Sequence, residues 1–452
     1  MTGRSRVRAA LAGTAAGLLL AGAAAVPALA REPAVPAPAP SVPVETPVAP
    51  PPGDGKPAVD SVDIQQREYW LDDYGVREAW KSATGKGVKI AVIDTGVDGT
   101  HQDLGDAVGP GTDVSGVGRA DGQEGLGAEP EHGTLVASLA AGRGHGAPTG
   151  NGPGHREGIL GVAPEAEILP VSLGLGVQDP GVRDVDEQIP RAVRWAVDHG
   201  ANVINMSVGS DSTAWPQSWD SAFAYAEEKN VLVVAAAGNR GSGLNQVGAP
   251  ATIPGVLTVG GVDRSGRASW DSSSQGISIA VAGPSEDMVG AMPGDGYAQW
   301  SGTSATVPLV SGTAALVKQE HPDLTGAQVA QRIVATAHDA GEKGKDPLYG
   351  YGVLDVAAAV TADVEPTDEK PLGSIRHWIE QNRPQSAPPT ASPTSGTAAG
   401  DTEQVTQEAT PPVAQPPLNE TGALPVVVLA SFGVVVAGLT VAAVLHIRRL
   451  AR

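Results

Sequence analysis

Short runs of Val, Ile and Ala alternate with amphipathic stretches through the middle of the chain. Apolar runs of this length are typical of strands buried on both faces, and helices between such strands connect parallel neighbours. The pattern therefore predicts an α/β domain of three layers, with a mostly parallel buried sheet between helices. The predicted strands are Val88–Ile93, Glu167–Val171, Asn202–Met206, Val231–Ala236, Val256–Val259 and Ile277–Ala282, and the predicted helices are Gly75–Ser82, His132–Gly142, Pro190–His199, Ser218–Lys229, Ser304–Glu320 and Gly326–Ala337.

The first thirty residues have the three parts of a secretory signal peptide. Arg4, Arg6 and Arg8 precede an uncharged run that closes with Ala28-Leu29-Ala30, where the small residues suit signal peptidase. We expect residues 1–30 to be a signal peptide that is cleaved after Ala30. An uncleaved N-terminal anchor is the alternative.

The other end of the chain contains a candidate membrane span. Residues 424–445 carry no charge, and as a helix they would be about 33 Å long, enough to cross a bilayer. The basic tail that follows, residues 446–452, is expected in the cytoplasm by the positive-inside rule. The expected protein is anchored in the cell membrane by one C-terminal transmembrane helix, with its folded domain outside the cytoplasm.

Composition separates the remaining chain into a domain and two connecting segments. Residues 31–58 form a Pro-rich N-terminal arm, and residues 363–423 form a linker rich in Pro, Ala, Ser and Thr, so neither can build a core. The folded domain is expected over residues 59–362. Within the linker, Ser374–Asn382 is a short amphipathic piece that could dock through Trp378 and Ile379.

Charge and cysteine content exclude several classes of function. Thirty Lys and Arg against fifty Asp and Glu give a net charge of −20, which disfavours a nucleic-acid partner. The absence of cysteine excludes disulfides, thiolate metal sites and a cysteine nucleophile. No cofactor or metal site is predicted, although the sequence leaves calcium binding open.

Three motifs carry residue types suited to nucleophilic catalysis. Asp94 directly follows the first predicted strand, at the sheet edge where catalytic groups gather, although an Asp before Thr-Gly more often caps a turn. His132 opens a helix of small residues, and Ser304 opens another, where the structural alternative is an N-cap. Each motif is a weak signal alone. Their chain order, Asp94, His132, Ser304, is that of the subtilisin triad.

Residues around these three positions resemble the signature blocks of the subtilisin-like serine proteases. The matching blocks are Ala91-Val92-Ile93-Asp94-Thr95-Gly96-Val97, His132-Gly133-Thr134, Gly161-Val162-Ala163-Pro164, Asn205-Met206-Ser207, Ala236-Ala237-Gly238-Asn239 and Gly302-Thr303-Ser304-Ala305. The resemblance implies a subtilisin-like fold and peptide-bond cleavage, with Ser304 as nucleophile, His132 as general base and Asp94 orienting the imidazole. Asn239 would complete the oxyanion hole with the Ser304 backbone N–H. His101 lies within the Asp94 block and is expected to be structural.

The same resemblance gives a coarse prediction for substrate binding. An extended protein or peptide substrate would pair with the edge segment Ser207, Val208 and Gly209, and Ala237 would line the first pocket with Ala236 and Gly238. Ser207 and Gly209 as plain turn residues are the alternative.

The arrangement of the segments resembles one branch of the family, the mycosins. A signal peptide, a short arm, a subtilase domain, a Pro-rich linker, a membrane helix and a basic tail follow one another in the chain. The resemblance implies a membrane-anchored protease associated with the type VII secretion machinery of actinobacteria. The alternative is a mainly structural component of a secretion complex, with proteolysis secondary.

Overall fold

A seven-stranded parallel sheet forms the centre of the computed structural model, which describes residues 64–150 and 152–383. The strand order β2–β5–β1–β6–β7–β8–β9 confirms the predicted α/β fold with a mostly parallel sheet. The strands are β1 Lys89–Asp94, β2 Thr112–Asp113, β3 Arg143–His145, β4 Glu157–Leu160, β5 Glu167–Ser172, β6 Val203–Met206, β7 Leu232–Ala236, β8 Leu257–Val262, β9 Ile279–Pro284, β10 Met288–Met292 and β11 Gly296–Trp300. Strands β3–β4 and β10–β11 form two antiparallel pairs outside this sheet.

Helices cover both faces of the sheet and give the domain its three layers. They are α1 Ile64–Arg67, α2 Trp70–Asp73, α3 Val76–Ala79, α4 His132–Ala141, α5 Val185–Asp198, α6 Gln217–Glu228, α7 Thr303–Glu320, α8 Gly326–Thr336, α9 Val356–Thr361 and α10 Ile375–Asn382, with a 3₁₀ turn at Arg240–Ser242. Successive side chains of a strand point to opposite faces. Accordingly Ile90 and Val92 of β1 join the core that contains α4 and α7, whereas Ala91 and Ile93 join the core that contains α5 and α6.

Helix α5 begins five residues before its predicted start. The Asp184 side chain accepts a hydrogen bond from the backbone N–H of Asp186 at 2.8 Å and caps the helix there. Pro190 consequently lies inside the helix, where it cannot donate a backbone hydrogen bond, and its predicted place in the first turn is wrong. The last predicted strand also begins later, at Ile279, because Ile277 is exposed.

The chain segments that come before the first strand and after Ala362 pack against the rest of the domain. In the N-terminal segment, Trp70 and Leu71 are fully buried, and the Glu68 carboxylate accepts a hydrogen bond from the backbone N–H of Leu160 at 2.7 Å. Toward the C-terminus, described structure continues past Ala362, and α10 lies on α6.

Several predicted segments lie outside the described residues. They are the signal peptide at 1–30, the arm at 31–58, most of the linker at 363–423, the membrane helix at 424–445 and the tail at 446–452. Among the helices of residues 64–150 and 152–383, none combines the length and apolar character needed to cross a membrane.

Candidate active site

The carboxyl ends of three adjacent strands bring most of the predicted site residues to one edge of the sheet. Strands β1, β6 and β7 are neighbours in the sheet. Asp94 is the last residue of β1, Ser207 directly follows β6, and Ala237 directly follows β7. Because the strands are parallel, these three ends point the same way. The N-termini of α4 and α7 bring His132 and Ser304 to the same region.

Asp94 and His132 are in direct contact. The His132 Nδ1 lies 2.7 Å from the Asp94 Oδ1, and both side chains are buried. One further bond holds the start of α4 against the end of β1: the backbone N–H of Gly133 donates to the Thr95 Oγ1 at 3.0 Å. The backbone N–H of Thr95 donates to the Oδ1 of the neighbouring Asp94 at 2.8 Å and helps to orient that carboxylate. A Cβ at Gly133 would lie 2.2 Å from the Gly96 carbonyl oxygen, so this close approach requires glycine.

The environment of His132 favours its protonated form. Burial by itself lowers the pKa of His132, but the negative charge of Asp94 and the hydrogen bond to it outweigh burial and raise the pKa above its ordinary value. Since a carboxylate only accepts, the ring proton is on Nδ1, and Nε2 is the acceptor in the neutral ring. Among the described residues Nε2 has no hydrogen-bond partner, and Trp300 packs edge-on against the ring at 5.7 Å between centroids.

The Ser304 hydroxyl is engaged by the segment after β6 rather than by His132. Ser304 is the second residue of α7, and its Oγ donates to the Ser207 carbonyl oxygen at 3.1 Å. The Ser207 hydroxyl in turn donates to the Ser304 carbonyl oxygen at 3.0 Å. Asp94 and His132 of the predicted triad are therefore hydrogen-bonded to each other, and Ser304 is held next to the predicted substrate edge.

Asn239 lies beside the start of α7 with a fixed amide orientation. Its Oδ1 accepts from both the backbone N–H and the hydroxyl of Thr303, each at 2.9 Å. Because a backbone N–H can donate only to the amide oxygen, the Nδ2 group must face the other way. Gly302 has a φ of 144°, and a Cβ there would lie 2.9 Å from the Asn239 Nδ2. Glycine at this position therefore leaves the Asn239 amide its space.

The predicted substrate edge has unpaired backbone groups. Little solvent-accessible surface remains at Ser207, Val208 and Gly209. No described residue, however, makes a hydrogen bond with the backbone of Val208 or Gly209. An extended peptide could pair there as an added strand. Ala237 is also buried, its N–H donates to the Val259 carbonyl oxygen, and its small side chain leaves room for a pocket.

Sequence reasoning missed three side chains that surround these groups. Thr303 fixes Asn239, Trp300 covers His132, and Glu129 places a buried carboxyl three residues before His132. Burial raises the pKa of Glu129 to about 7; the charge of His132 opposes the rise, while Glu131 and Asp94 add to it. Thr303 and Glu129 had visible signals, Thr303 as a member of the block around Ser304 and Glu129 as an acid next to the His132 motif.

His101 takes no part in this arrangement. Its Nε2 lies 3.2 Å from the Gly296 carbonyl oxygen, and its Nδ1 accepts from the backbone N–H of Asp103 at 3.0 Å. Within residues 64–150 and 152–383, no group of three His, Asp or Glu side chains is arranged to hold a metal ion.

An Asp–His pair at the edge of a parallel sheet, beside a serine at a helix N-terminus, defines the class of the protein as a serine hydrolase with an α/β fold. Comparison with family models then assigns the chain to the subtilase family, whose model matches residues 85–352. The chain is accordingly a subtilisin-type serine endopeptidase.

Mycosins and subtilisins are both among its relatives. Mycosin-1 of Mycobacterium tuberculosis is 36% identical over 350 residues, which cover 66% of this chain and 74% of that protein. Subtilisin DY of Bacillus licheniformis is 36% identical over 280 residues, covering 61% and 91%. Among solved structures, the serine protease MycP1, described as an essential component of the type VII (ESX-1) secretion system, matches with a TM-score of 0.54 and 33% identity, covering 73% of this chain and 99% of that one.

Proposed function

We propose that the chain cleaves peptide bonds through an Asp94–His132–Ser304 triad. The observation that carries the proposal is the buried 2.7 Å contact between the Asp94 Oδ1 and the His132 Nδ1, which leaves Nε2 free to accept a proton. To react, the Ser304 hydroxyl turns from the Ser207 carbonyl to the His132 Nε2. A serine hydroxyl needs such a base, because it is a poor nucleophile at neutral pH.

The reaction proceeds in two acyl-transfer steps. The Ser304 Oγ attacks the carbonyl carbon while His132 takes its proton, and the imidazolium is stabilised by Asp94. The carbonyl oxygen becomes negative and accepts hydrogen bonds from the Asn239 Nδ2 and the Ser304 backbone N–H. When the C–N bond breaks, His132 returns the proton to the leaving amine. Water, deprotonated by His132, then attacks the acyl-enzyme; the bond to the Ser304 Oγ breaks, His132 returns the proton to that oxygen, and the acid is released.

Substrate affinity is proposed to come from strand addition at the sheet edge. The free backbone groups of Val208 and Gly209 pair with an extended protein or peptide substrate, and Ser207 holds this segment to the nucleophile. The residue before the scissile bond sits against Ala237.

Substitution of the triad tests the proposal. Ser304→Ala and His132→Ala should each lower turnover by several orders of magnitude, because the two side chains act on one proton. The double variant should be little worse than either single variant. Losses that multiply in the double variant would show that the two residues act independently and would contradict the triad.

We also propose that the protease works at the outer face of the cell membrane, in association with type VII secretion machinery. The uncharged segment 424–445, the basic tail 446–452 and the signal-peptide pattern of residues 1–30 support the location, with residues 31–58 as an arm, 59–362 as the protease domain and 363–423 as the linker. The similarity to Mycosin-1 and MycP1 supports the association.

Secretion assays separate a proteolytic role from a structural one. In a strain that lacks the chain, secretion through the type VII system should fall. If Ser304→Ala restores it fully, the chain acts there mainly as a structural component. If only the unsubstituted chain restores it, proteolysis is required.

A further inference from the structure

The described residues end in a segment that is bound to α6 and to the loop that precedes it. We propose that this C-terminal segment is a positioning element: it holds the loop that carries the proposed substrate edge, and so sets the affinity for extended peptides. The inference rests on the proposed role of Val208 and Gly209. Residues 207–216, between β6 and α6, form the edge loop, and Trp215, Asp220, Trp378 and Arg383 form the clamp.

The clamp is built around a buried carboxylate. Arg383 donates to both oxygens of Asp220, from Nε at 2.6 Å and from Nη2 at 3.1 Å, and the Asp220 side chain is only 8% exposed. Trp215 donates its indole N–H to the same carboxylate at 2.8 Å. Two-point binding of a carboxylate by arginine fixes direction as well as distance.

Aromatic contacts complete the clamp. The ring of Trp378 in α10 lies 4.6 Å from the ring of Trp215, measured between centroids. The Arg383 guanidinium lies 5.0 Å from the Trp378 ring centroid and 6.0 Å from that of Trp215, within the range of cation–π attraction. The side chain of Trp215 is thus held by two residues of the C-terminal segment.

Trp215 belongs to the edge loop, whose other end is bound to the nucleophile. At that end the Ser207 carbonyl and hydroxyl are both hydrogen-bonded to Ser304. Between the ends, the loop is bonded to other segments at two carbonyls, where Ser212 accepts from Ala249 at 2.7 Å and Thr213 accepts from Thr252 at 2.8 Å.

Val208 and Gly209 lie between these anchors and make no backbone hydrogen bonds with described residues. Their position is consequently set by the anchors of the loop. Without Arg383, Trp215 keeps its contacts with Asp220 and Trp378 but loses its contacts with the guanidinium, so this end of the loop, and with it the pairing groups of the edge, is held less firmly. Backbone pairing with an extended peptide depends on donors and acceptors held at a fixed spacing, so a less firmly held edge weakens peptide binding.

A second cation of the same segment provides a matched control. Lys370 pairs with Glu227 at 2.5 Å, at the other end of α6 from Asp220. Lys370→Ala and Arg383→Ala each remove one cationic contact between the C-terminal segment and α6, but only Arg383 contacts the edge loop. A general loss of stability affects both variants, whereas of the two cations only Arg383 bears on the position of the edge loop.

The test uses the full-length chain in detergent and a quenched-fluorescence peptide selected from a random library on the unsubstituted chain. Arg383→Ala should raise KM threefold to tenfold, with kcat and the rate of labelling by a fluorophosphonate, which has no peptide backbone, within twofold. Lys370→Ala should leave KM within twofold. Arg383→Lys keeps the charge but not the two-point contact, so it should give an intermediate KM. This variant replaces Arg383→Ala in the test if Arg383→Ala does not fold.

The outcomes distinguish this inference from the proposed function. An unchanged KM in the Arg383 variants, or an equal rise in Lys370→Ala, would overturn the positioning role alone. A folded, unsubstituted chain that neither cleaves peptides nor reacts with the fluorophosphonate would overturn the proposed function, and this inference with it.

Discussion

Neutralising the buried Glu129 carboxyl should change how the stability of the fold depends on pH. Its pKa is raised from 4.5 to about 7, mainly because burial penalises the charged form. Each pKa unit corresponds to about 1.4 kcal/mol, so ionising Glu129 costs about 3 kcal/mol more in the folded chain than in the unfolded chain. Glu129→Gln removes this cost and keeps nearly the same shape.

The direction in which the free energy of unfolding changes with pH follows from the raised pKa of Glu129. Glu129 contributes its full stability below pH 4.5, where it is protonated in both states, and this contribution is lost as pH rises through 7. Between pH 4 and 8.5, the unsubstituted chain should therefore lose about 3 kcal/mol of unfolding free energy relative to Glu129→Gln.

Denaturant unfolding at both pH values measures this difference, with Ser304→Ala in every variant to prevent self-digestion. The half-exposed neighbour Glu131 supplies the control, because Glu131→Gln leaves the buried carboxyl in place. Equal pH dependence in the Glu129→Gln and unsubstituted chains would refute the reasoning.

Four further predictions concern catalysis and location. In the active chain, Glu129→Gln removes a negative charge beside His132, so the acidic limb of kcat/KM against pH should move to lower pH; an unmoved limb would contradict that electrostatic link. In the unsubstituted chain, this limb should lie above pH 6.5, the ordinary pKa of histidine, because the contact with Asp94 raises the pKa of His132 and only the neutral ring acts as a base. Asn239→Ala should lower kcat by about a hundred- to a thousandfold with KM nearly unchanged, whereas a lower melting temperature with normal kcat would make Asn239 a turn residue. Protease added to intact cells should remove the folded domain and leave a membrane fragment containing residues 424–452, and full protection of the domain would contradict the external location.

The buried strands were predictable, whereas the β10–β11 hairpin was not. Strand β1 is a continuous apolar run because both of its faces are covered, and such runs stand out in a sequence. The hairpin has five-residue strands, one of them mostly polar or small, and short runs of this kind do not distinguish strand from loop. The start of α5 at Val185 was predicted too late because proline favours the first turn of a helix, and Pro190 outweighed Asp184, whose preference for the N-cap position gives the true start.

At the site, sequence motifs predicted which residues would meet but not how their side chains would be oriented. The pairing of Asp94 with His132 follows from the ends of β1 and α4, which local sequence determines. The direction of the Ser304 hydroxyl depends on competition between His132 and the Ser207 carbonyl, and a rotating O–H carries no sequence signal. Burial of Glu129 could not be predicted, because charged side chains are ordinarily solvated.

Covalent labelling of Ser304 tests the central claim most directly. A fluorophosphonate that reacts with the full-length chain should lose fluoride and add its phosphonyl group to the Ser304 Oγ, as located by mass spectrometry of the digested protein. Labelling should disappear in Ser304→Ala and slow by orders of magnitude in His132→Ala, because the imidazole takes the proton in this reaction as well. Label on another serine, or an unchanged rate in His132→Ala, would contradict the assignment of the triad.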